Sequence, residues 1–295
     1  MPPTKNVSLL RTLLVKAEAL ASSVSKNEFP ILLRTLAERR KVTSVEFCPL
    51  LVDAMLTTHP KGFRIFLNSD DGRSNELKER YQNESKIKLL NPRVRFSIAH
   101  ELAHTFFYDL KEARPKLSRK FTSGGGRTEL ENLERHCNTI ASHLLLPTEM
   151  LAADFLRLKK ITPESIANLA KSAGVSLHAF LVRLDRSDSL FINKPFRGCI
   201  VLADQNEGGL RIRAIAKPKS FNIAYQLLQM RSGERWNLKA HDGSEIIPNR
   251  LMTVSNCVLD IETNQSKTQK AYQICVAELD GFEAPNSYLV TFEEI

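Results

Sequence analysis

His100-Glu101-Leu102-Ala103-His104 sets two imidazoles four residues apart, with a carboxylate beside the first. No proline or glycine interrupts the stretch from Arg95 to Tyr108, so it reads as a helix, on which positions four apart share a face. His100 and His104 can then offer two nitrogens to one metal ion, which is half of a tetrahedral zinc site. Glu101 lies about 100° round the helix, where its carboxylate can take a proton from water instead of binding the ion. That is the position of a general base. Every other residue from Phe96 to Tyr108 is uncharged. The helix is therefore expected to be buried, and a buried His-Glu-His trio needs partners for its polar groups. Two surface histidines on an amphipathic helix are the plain alternative, and the uncharged context favours zinc over it.

A hydrolytic zinc site takes three protein ligands and keeps one position open. The metzincin arrangement would require glycine at 107 and histidine at 110, but the chain has Phe107 and Leu110, which excludes it. A glutamate from a separate helix remains, and on spacing alone Glu129, Glu131, Glu134 and Glu149 are all candidates. Residues 129–146, stopped by Pro147, read as a second long helix with Glu134, Asn138, Ala141 and Leu145 on one face. If that face packs on the first helix, small Ala141 permits close approach and Glu134 reaches the metal.

The elements that must position these groups follow from propensity and punctuation. Residues 7–24 and 30–40 read as helices and 42–48 as a strand, after which Pro49 is expected to open a short helix through Leu56. Residues 62–68 read as a strand closed by the turn Ser69-Asp70-Asp71-Gly72. A strand just before the histidine helix is where an extended peptide can add edge to edge, with Arg64, Ile65 and Phe66 as the receiving strand. A polar helix or an insertion is expected at 74–88, and residues 111–127 form a basic loop around Ser123-Gly124-Gly125-Gly126. Thr162-Pro163 starts a helix, Gly174 ends it and Ser176 caps another through Arg183. From Pro195 the texture becomes β-rich, at 198–203, 210–216, 252–260, 272–278 and 287–292, with a helix expected at 221–230. The chain is thus α+β, with one domain at 1–190, including the helix pair at 162–186, and a second at 195–295.

The net charge of +9 suits an anionic partner without naming one. Five cysteines in no close-spaced pair argue for reduced thiols and a cytoplasmic setting. No apolar run is long enough to span a bilayer, so no membrane partner is expected.

Two linked stretches, Arg95-Phe96-x-x-Ala99-His100-Glu101-x-Ala103-His104 and Glu134-x-x-Cys137-Asn138-x-x-Ala141-x-x-Leu144-Leu145-x-Pro147, resemble the ImmA/IrrE family of zinc metallo-endopeptidases. The resemblance spans residues 40–186. The chain departs from the family pattern at Ala103 and Cys137, where glycine and alanine are usual, and at Ile140, where phenylalanine is usual. The resemblance implies Glu134 as the third zinc ligand and a mainly helical, zincin-like peptidase domain with a small sheet. It also implies a helix-turn-helix repressor as substrate, cleaved to switch on a stress or phage-defence operon. Some members of that family carry a C-terminal GAF-like sensor domain, which the C-terminal part of this chain resembles in position, length and β content. Its signal would be single-stranded DNA, which the positive charge suits, or a small molecule.

An endopeptidase without a brake would leave its repressor permanently destroyed. Cys48, just before Pro49, is the residue whose soft sulfur could fill the open position of the ion, although a buried cysteine that merely packs is the commoner case. A competing function is a DNA-binding regulator that uses residues 162–186 as its own helix-turn-helix. Against it, Leu177, Phe180, Leu181 and Leu184 make the second helix apolar.

Overall fold

The computed structural model describes residues 5–69, 73–85, 88–110, 116–117, 127–187, 190–191, 196, 198–206, 209–218, 235–236, 252–262, 267–278 and 287–294. Its backbone contacts divide the chain into two compact units, 1–151 with 172–175, and 152–171 with 176–295. This division falls earlier in the chain than the step from the 1–190 domain to the 195–295 domain expected from the sequence, and it interleaves at the helix pair.

The first unit runs α1 (Lys5–Ser25), α2 (Leu33–Arg39), β1 (Val42–Cys48), β2 (Ala54–His59), β3 (Gly62–Asn68), α3 (Ser74–Gln82) and α4 (Pro92–His104). A 3-10 turn (Thr105–Phe107), β4 (Tyr108–Asp109), β5 (Lys116–Leu117) and α5 (Arg127–Leu145) follow. Asn91 caps α4 by accepting the Val94 N–H at 2.9 Å, and Pro92 holds the first helical position, where its missing N–H costs nothing. Ile98, Ala99, Leu102 and Ala103 are buried on α4, and Cys137, Ile140, Ala141 and Leu144 on α5. The alanines let the two helices pack closely. α1 also packs on α5, burying Leu13, Ala17 and Ala21. There Glu18 accepts from His143 Nδ1 at 2.6 Å and from the Thr148 N–H at 3.1 Å. Burial alone would raise the Glu18 carboxyl, but these hydrogen bonds and the His143 charge outweigh it and bring the group from 4.5 down to about 2.

Two expectations are overturned in the small sheet. Residues 49–56 are not a helix: 51–53 form a bend and Ala54 begins β2. The Pro49 signal is outweighed by the hairpin that β2 makes with β3, paired from Ala54↔Leu67 to His59↔Gly62. Gly62 closes that hairpin at φ 152°, where a Cβ would collide with the Lys41 carbonyl. The second correction concerns Arg64, Ile65 and Phe66. The strand order is β1-β3-β2, so β3 is bonded on both sides, parallel to β1 and antiparallel to β2, and has no free edge for a peptide. The free edge beside α4 belongs to β2.

The second unit takes most of α6 (Thr148–Arg157), α7 (Pro163–Ala173) and α8 (Leu177–Asp185). Six strands follow: β6 (Gly198–Asn206), β7 (Gly209–Ala216), β8 (Arg235–Trp236), β9 (Met252–Glu262), β10 (Lys267–Glu278) and β11 (Ser287–Glu294). They form one sheet in the order β8-β7-β6-β11-β10-β9 with every neighbouring pair antiparallel. α8 packs on β6 and β7 and buries Leu177, Phe180, Leu181, Arg183 and Leu184. The helix expected at 221–230 and most of the basic loop at 111–127 lie outside the described residues.

Arg95, in the first turn of α4, has a fully buried side chain. It pairs with equally buried Glu84, donates to the Ile31 carbonyl at 2.7 Å and to the Gly174 carbonyl at 3.0 Å. Glu84 in turn accepts the Leu33 N–H at 2.7 Å. Removing one member of a buried pair strands the other's charge, at a cost of about 3–5 kcal/mol. Arg95→Leu is expected to lose that much stability in urea denaturation, and Arg95→Leu with Glu84→Gln to recover part of it. Equal stability of Arg95→Leu and the parent would show that the pair contributes nothing.

Candidate metal centre

α4 presents His100 and His104 along one stripe, and α5 presents Glu134 and Asn138 opposite them. His100 Nε2 lies 3.2 Å from His104 Nε2. The Glu134 carboxylate straddles the pair, with Oε2 3.0 Å from His100 Nε2 and Oε1 3.5 Å from His104 Nε2. Ligand atoms of His100, Glu101 and His104 all fall within 4.8 Å of one another. Together these groups line a cavity of about 460 Å³, walled also by Asp53, Ala54, Met55 and Leu56 at the β2 end, by Phe96 and Ser97 on α4, and by Tyr108.

The far nitrogens of the two imidazoles are occupied. His100 Nδ1 donates to Asn138 Oδ1 at 2.9 Å, which leaves the Nε2 of a neutral ring as a lone pair. His104 Nδ1 meets the Cys137 sulfur at 3.4 Å. Burial, then the neighbouring His100, lower the His104 pKa and keep that ring neutral. Two imidazole nitrogens and a carboxylate thus face each other at 3.0 to 3.5 Å. A tetrahedral ion with bonds of about 2.0–2.1 Å spaces its ligands about 3.3–3.4 Å apart. The donor set and its spacing fit a zinc-sized cation.

Glu101 is buried and accepts a hydrogen bond from the Leu56 backbone N–H of β2. Burial first, and the Glu134 charge second, push its carboxyl up to about 7. The Leu56 amide is turned to Glu101 and hence away from β3.

Residues 63–185 match the family described as "Peptidase_M78: IrrE N-terminal-like domain". This segment is a domain of the ImmA/IrrE family. The IrrE-like domain begins at the second residue of β3 and runs to the last residue of α8, so it takes in α4, α5 and every side chain of the histidine and glutamate cluster. Peptidase_M78 is a metallopeptidase family, and the grouping of His100, Glu101 and His104 suits that membership. No curated protein matches the sequence. Among solved structures, a Mycobacterium tuberculosis transcriptional regulator is similar at 13% identity, over 96% of this chain and 76% of that one, with a TM-score of 0.44.

Of the other residues singled out in the sequence, Cys48 is not brought to the IrrE-like site. It ends β1, half-buried and in register with Asn68, and β3 stands between it and the site-lining β2. Among the other glutamate candidates, neither Glu131 nor Glu149 lines the cavity, and the side chain of Glu129 lies outside the described residues. Asn138, Tyr108 and Leu56 received no role from sequence reasoning. Asn138 shares Glu134's face and Tyr108 follows His104 by one helical turn, signals that were legible; the Leu56 amide reaches Glu101 only through tertiary packing.

The Asn138 contact sets a measurable expectation. Loss of a partner that orients a metal-binding histidine commonly costs 10- to 100-fold in metal affinity. Chelator competition should show about that loss of zinc affinity for Asn138→Ala, with a smaller change for Cys137→Ala because sulfur is a weak acceptor. Unchanged affinity in Asn138→Ala would mean that the contact does not orient His100.

Proposed function

We propose that this chain is a zinc-dependent endopeptidase in which His100, His104 and Glu134 hold the ion and Glu101 is the general base. The observation that carries the reading is the convergence of two imidazole nitrogens and one carboxylate at tetrahedral spacing, in a cavity that also holds the buried carboxyl group of Glu101. Zinc suits two histidines and a glutamate, and when bound it supplies a Lewis acid that polarises a peptide carbonyl and acidifies water.

The protein's own groups do the rest. Glu101, held by the Leu56 amide, takes a proton from the attacking water and passes it to the departing amine. A cation held by His100, His104 and Glu134 would offset the Glu134 charge, the smaller of the two causes after burial that raise the Glu101 pKa, and so favour its ionised form. β2 supplies the place for substrate. Its outer edge faces the cavity, and main-chain groups there can bind an extended peptide whatever its side chains. Such a segment is available in flexible parts of a regulator, and by family resemblance the target is a helix-turn-helix repressor encoded beside the gene. The C-terminal sheet is the place for a controlling signal, single-stranded DNA or a small molecule. The competing reading of 162–186 as a DNA-binding pair is disfavoured, because α8 buries even Arg183 and has little left to read a groove.

Incubation of the zinc-loaded chain with the neighbouring helix-turn-helix protein, followed by mass spectrometry of the products, tests the reading directly. Glu101→Gln should keep zinc and lose about 10²- to 10⁴-fold in turnover, whereas Glu134→Ala should lose the zinc itself. Full zinc occupancy in Glu134→Ala would reject the ligand assignment, and wild-type cleavage by Glu101→Gln would reject the base. Proline at Ala54 removes an N–H from the outer side of β2, since Ala54 and Leu56 point the same way. It is expected to slow cleavage at unchanged zinc content; an unaffected rate would mean that substrate does not pair with this edge.

A further inference from the structure

Peptide hydrolysis builds negative charge on the carbonyl oxygen as water adds to the carbon, and preorganised donors aimed at that oxygen are commonly a large part of catalysis. The groups already assigned leave that need open. His100 and His104 offer Nε2 to the metal position, Glu101 and Glu134 are acceptors, and Asn138 is held by its oxygen on the Nδ1 side of the His100 ring, opposite Nε2. Tyr108 also lines the cavity. Its ring is half-buried and packs edge-on against Phe63 at 5.1 Å, and burial raises the pKa of its phenol, so it remains a protonated donor. Among the described residues the phenol O–H has no hydrogen-bond partner. A tyrosine in the wall of a reaction cavity, whose hydroxyl no described residue takes up, is poised for a ligand.

We propose that Tyr108 is the oxyanion donor of this site, an assignment that rests on the peptidase reading above. Its position is built by the end of α4. After His104 the helix tightens into the 3-10 turn at Thr105–Phe107, and Arg40 holds that turn. Arg40 Nη2 donates to the Thr105 carbonyl at 2.6 Å, its Nε to Thr105 Oγ1 at 2.8 Å, and its guanidinium lies 4.1 Å over the Phe106 ring. Buried Phe107 anchors the turn from below, and the chain leaves it extended, with β4 pairing Tyr108 to Leu117. The phenol is therefore carried on a braced element one turn beyond the last histidine. Ser97 is the other hydroxyl in the cavity, but it sits one turn before His100 on a short arm. In the reaction the water oxygen bonds to the carbonyl carbon as its proton passes to Glu101, and the carbonyl π pair moves onto oxygen. Tyr108 donates a hydrogen bond to that oxygen without losing its proton. The C–N bond then breaks as Glu101 returns the proton to nitrogen, and the carbonyl re-forms.

The test uses full-length zinc-loaded protein, with Tyr108→Phe, Ser97→Ala and Glu101→Gln as variants and acetohydroxamate as a small oxyanion probe. Tyr108→Phe keeps the ring against Phe63, so zinc content and thermal midpoint should match the parent, whereas a merely packing role would change nothing else either. The expected result is acetohydroxamate binding weakened about 10-fold or more, and cleavage of the neighbouring regulator lowered in kcat about 10²- to 10³-fold with KM nearly constant. The ¹³Cζ resonance of Tyr108 in the parent should shift on adding acetohydroxamate, and Ser97→Ala should behave as the parent. If the regulator is not cleaved by the parent while the probe still requires Tyr108, the repressor substrate is wrong and the donor stands. Parent-like probe binding and kcat in Tyr108→Phe, or the loss appearing in Ser97→Ala instead, overturns the assignment. Failure of the zinc-loaded parent to bind acetohydroxamate overturns both it and the peptidase reading.

Discussion

The buried guanidinium of Arg95 is the constraint on which the unit that holds the histidine cluster depends. Four separate pieces of chain end on it or beside it: the stretch before α2 through the Ile31 carbonyl, the segment after α3 through Glu84, the first turn of α4, and the turn at Gly174. A charge held wholly out of water is tolerated only when paired and fully hydrogen-bonded, so none of these pieces can drift without exposing it to an unmet demand. Gly174 shows how closely the parts are fitted. At φ 67° a side chain there would be strained, and its Cβ would stand 2.9 Å from Arg95 Nε and 2.8 Å from the Leu89 Cδ1. The helix that carries both histidines is thus fixed at its beginning by electrostatics and at its end by the Arg40 clamp on Thr105.

Rigidity at both ends matters because the site is assembled from three elements that meet nowhere else in the sequence. α4 brings the imidazoles, α5 the Glu134 carboxylate and the Asn138 oxygen, and β2 the amide that holds Glu101. A slip of one helical residue in α4 against α5 would turn the histidines away by about 100°. The small residues between the helices, Ala99, Ala103 and Ala141, prevent that by allowing contact only in a close register.

Much of this was legible before any coordinates. The four-residue spacing of the histidines, the punctuation by Asn91-Pro92 and Pro147, and the common face of Glu134 and Asn138 are local properties, and local periodicity carries them. What failed was decided by pairing between distant segments. Residues 49–56 carry a helix-start signal at Pro49, yet Ala54 to His59 gain a full ladder to β3, and tertiary bonding outweighs local propensity. The receiving strand was sought in Arg64, Ile65 and Phe66 because β3 precedes the helix and alternates well. Its alternation reflects burial of Phe63, Ile65 and Leu67, and no pattern within one strand tells whether it lies in the middle of a sheet or at its edge.

Thiol chemistry at this centre follows from the same geometry. Cys48 is separated from the site-lining β2 by β3, but Cys137 sits beside it, and a sulfur so near a zinc-type site invites the expectation of a fourth ligand. The contact argues otherwise. The Cys137 sulfur faces Nδ1 of His104, while Nε2, on the opposite side of the ring, faces Glu134 and His100. A sulfur on the Nδ1 side cannot also reach an ion on the Nε2 side without displacing the ring between them. Burial, then the charges of Glu134 and Glu101, raise the thiol pKa well above its ordinary value, so the group stays protonated and neutral. It takes up the His104 N–H as a weak acceptor, filling with a polarizable atom the space that a methyl group would leave without a hydrogen bond. An ion held by His100, His104 and Glu134 would thereby keep its open position free of the Cys137 sulfur, in the cavity that Tyr108 and the edge of β2 line.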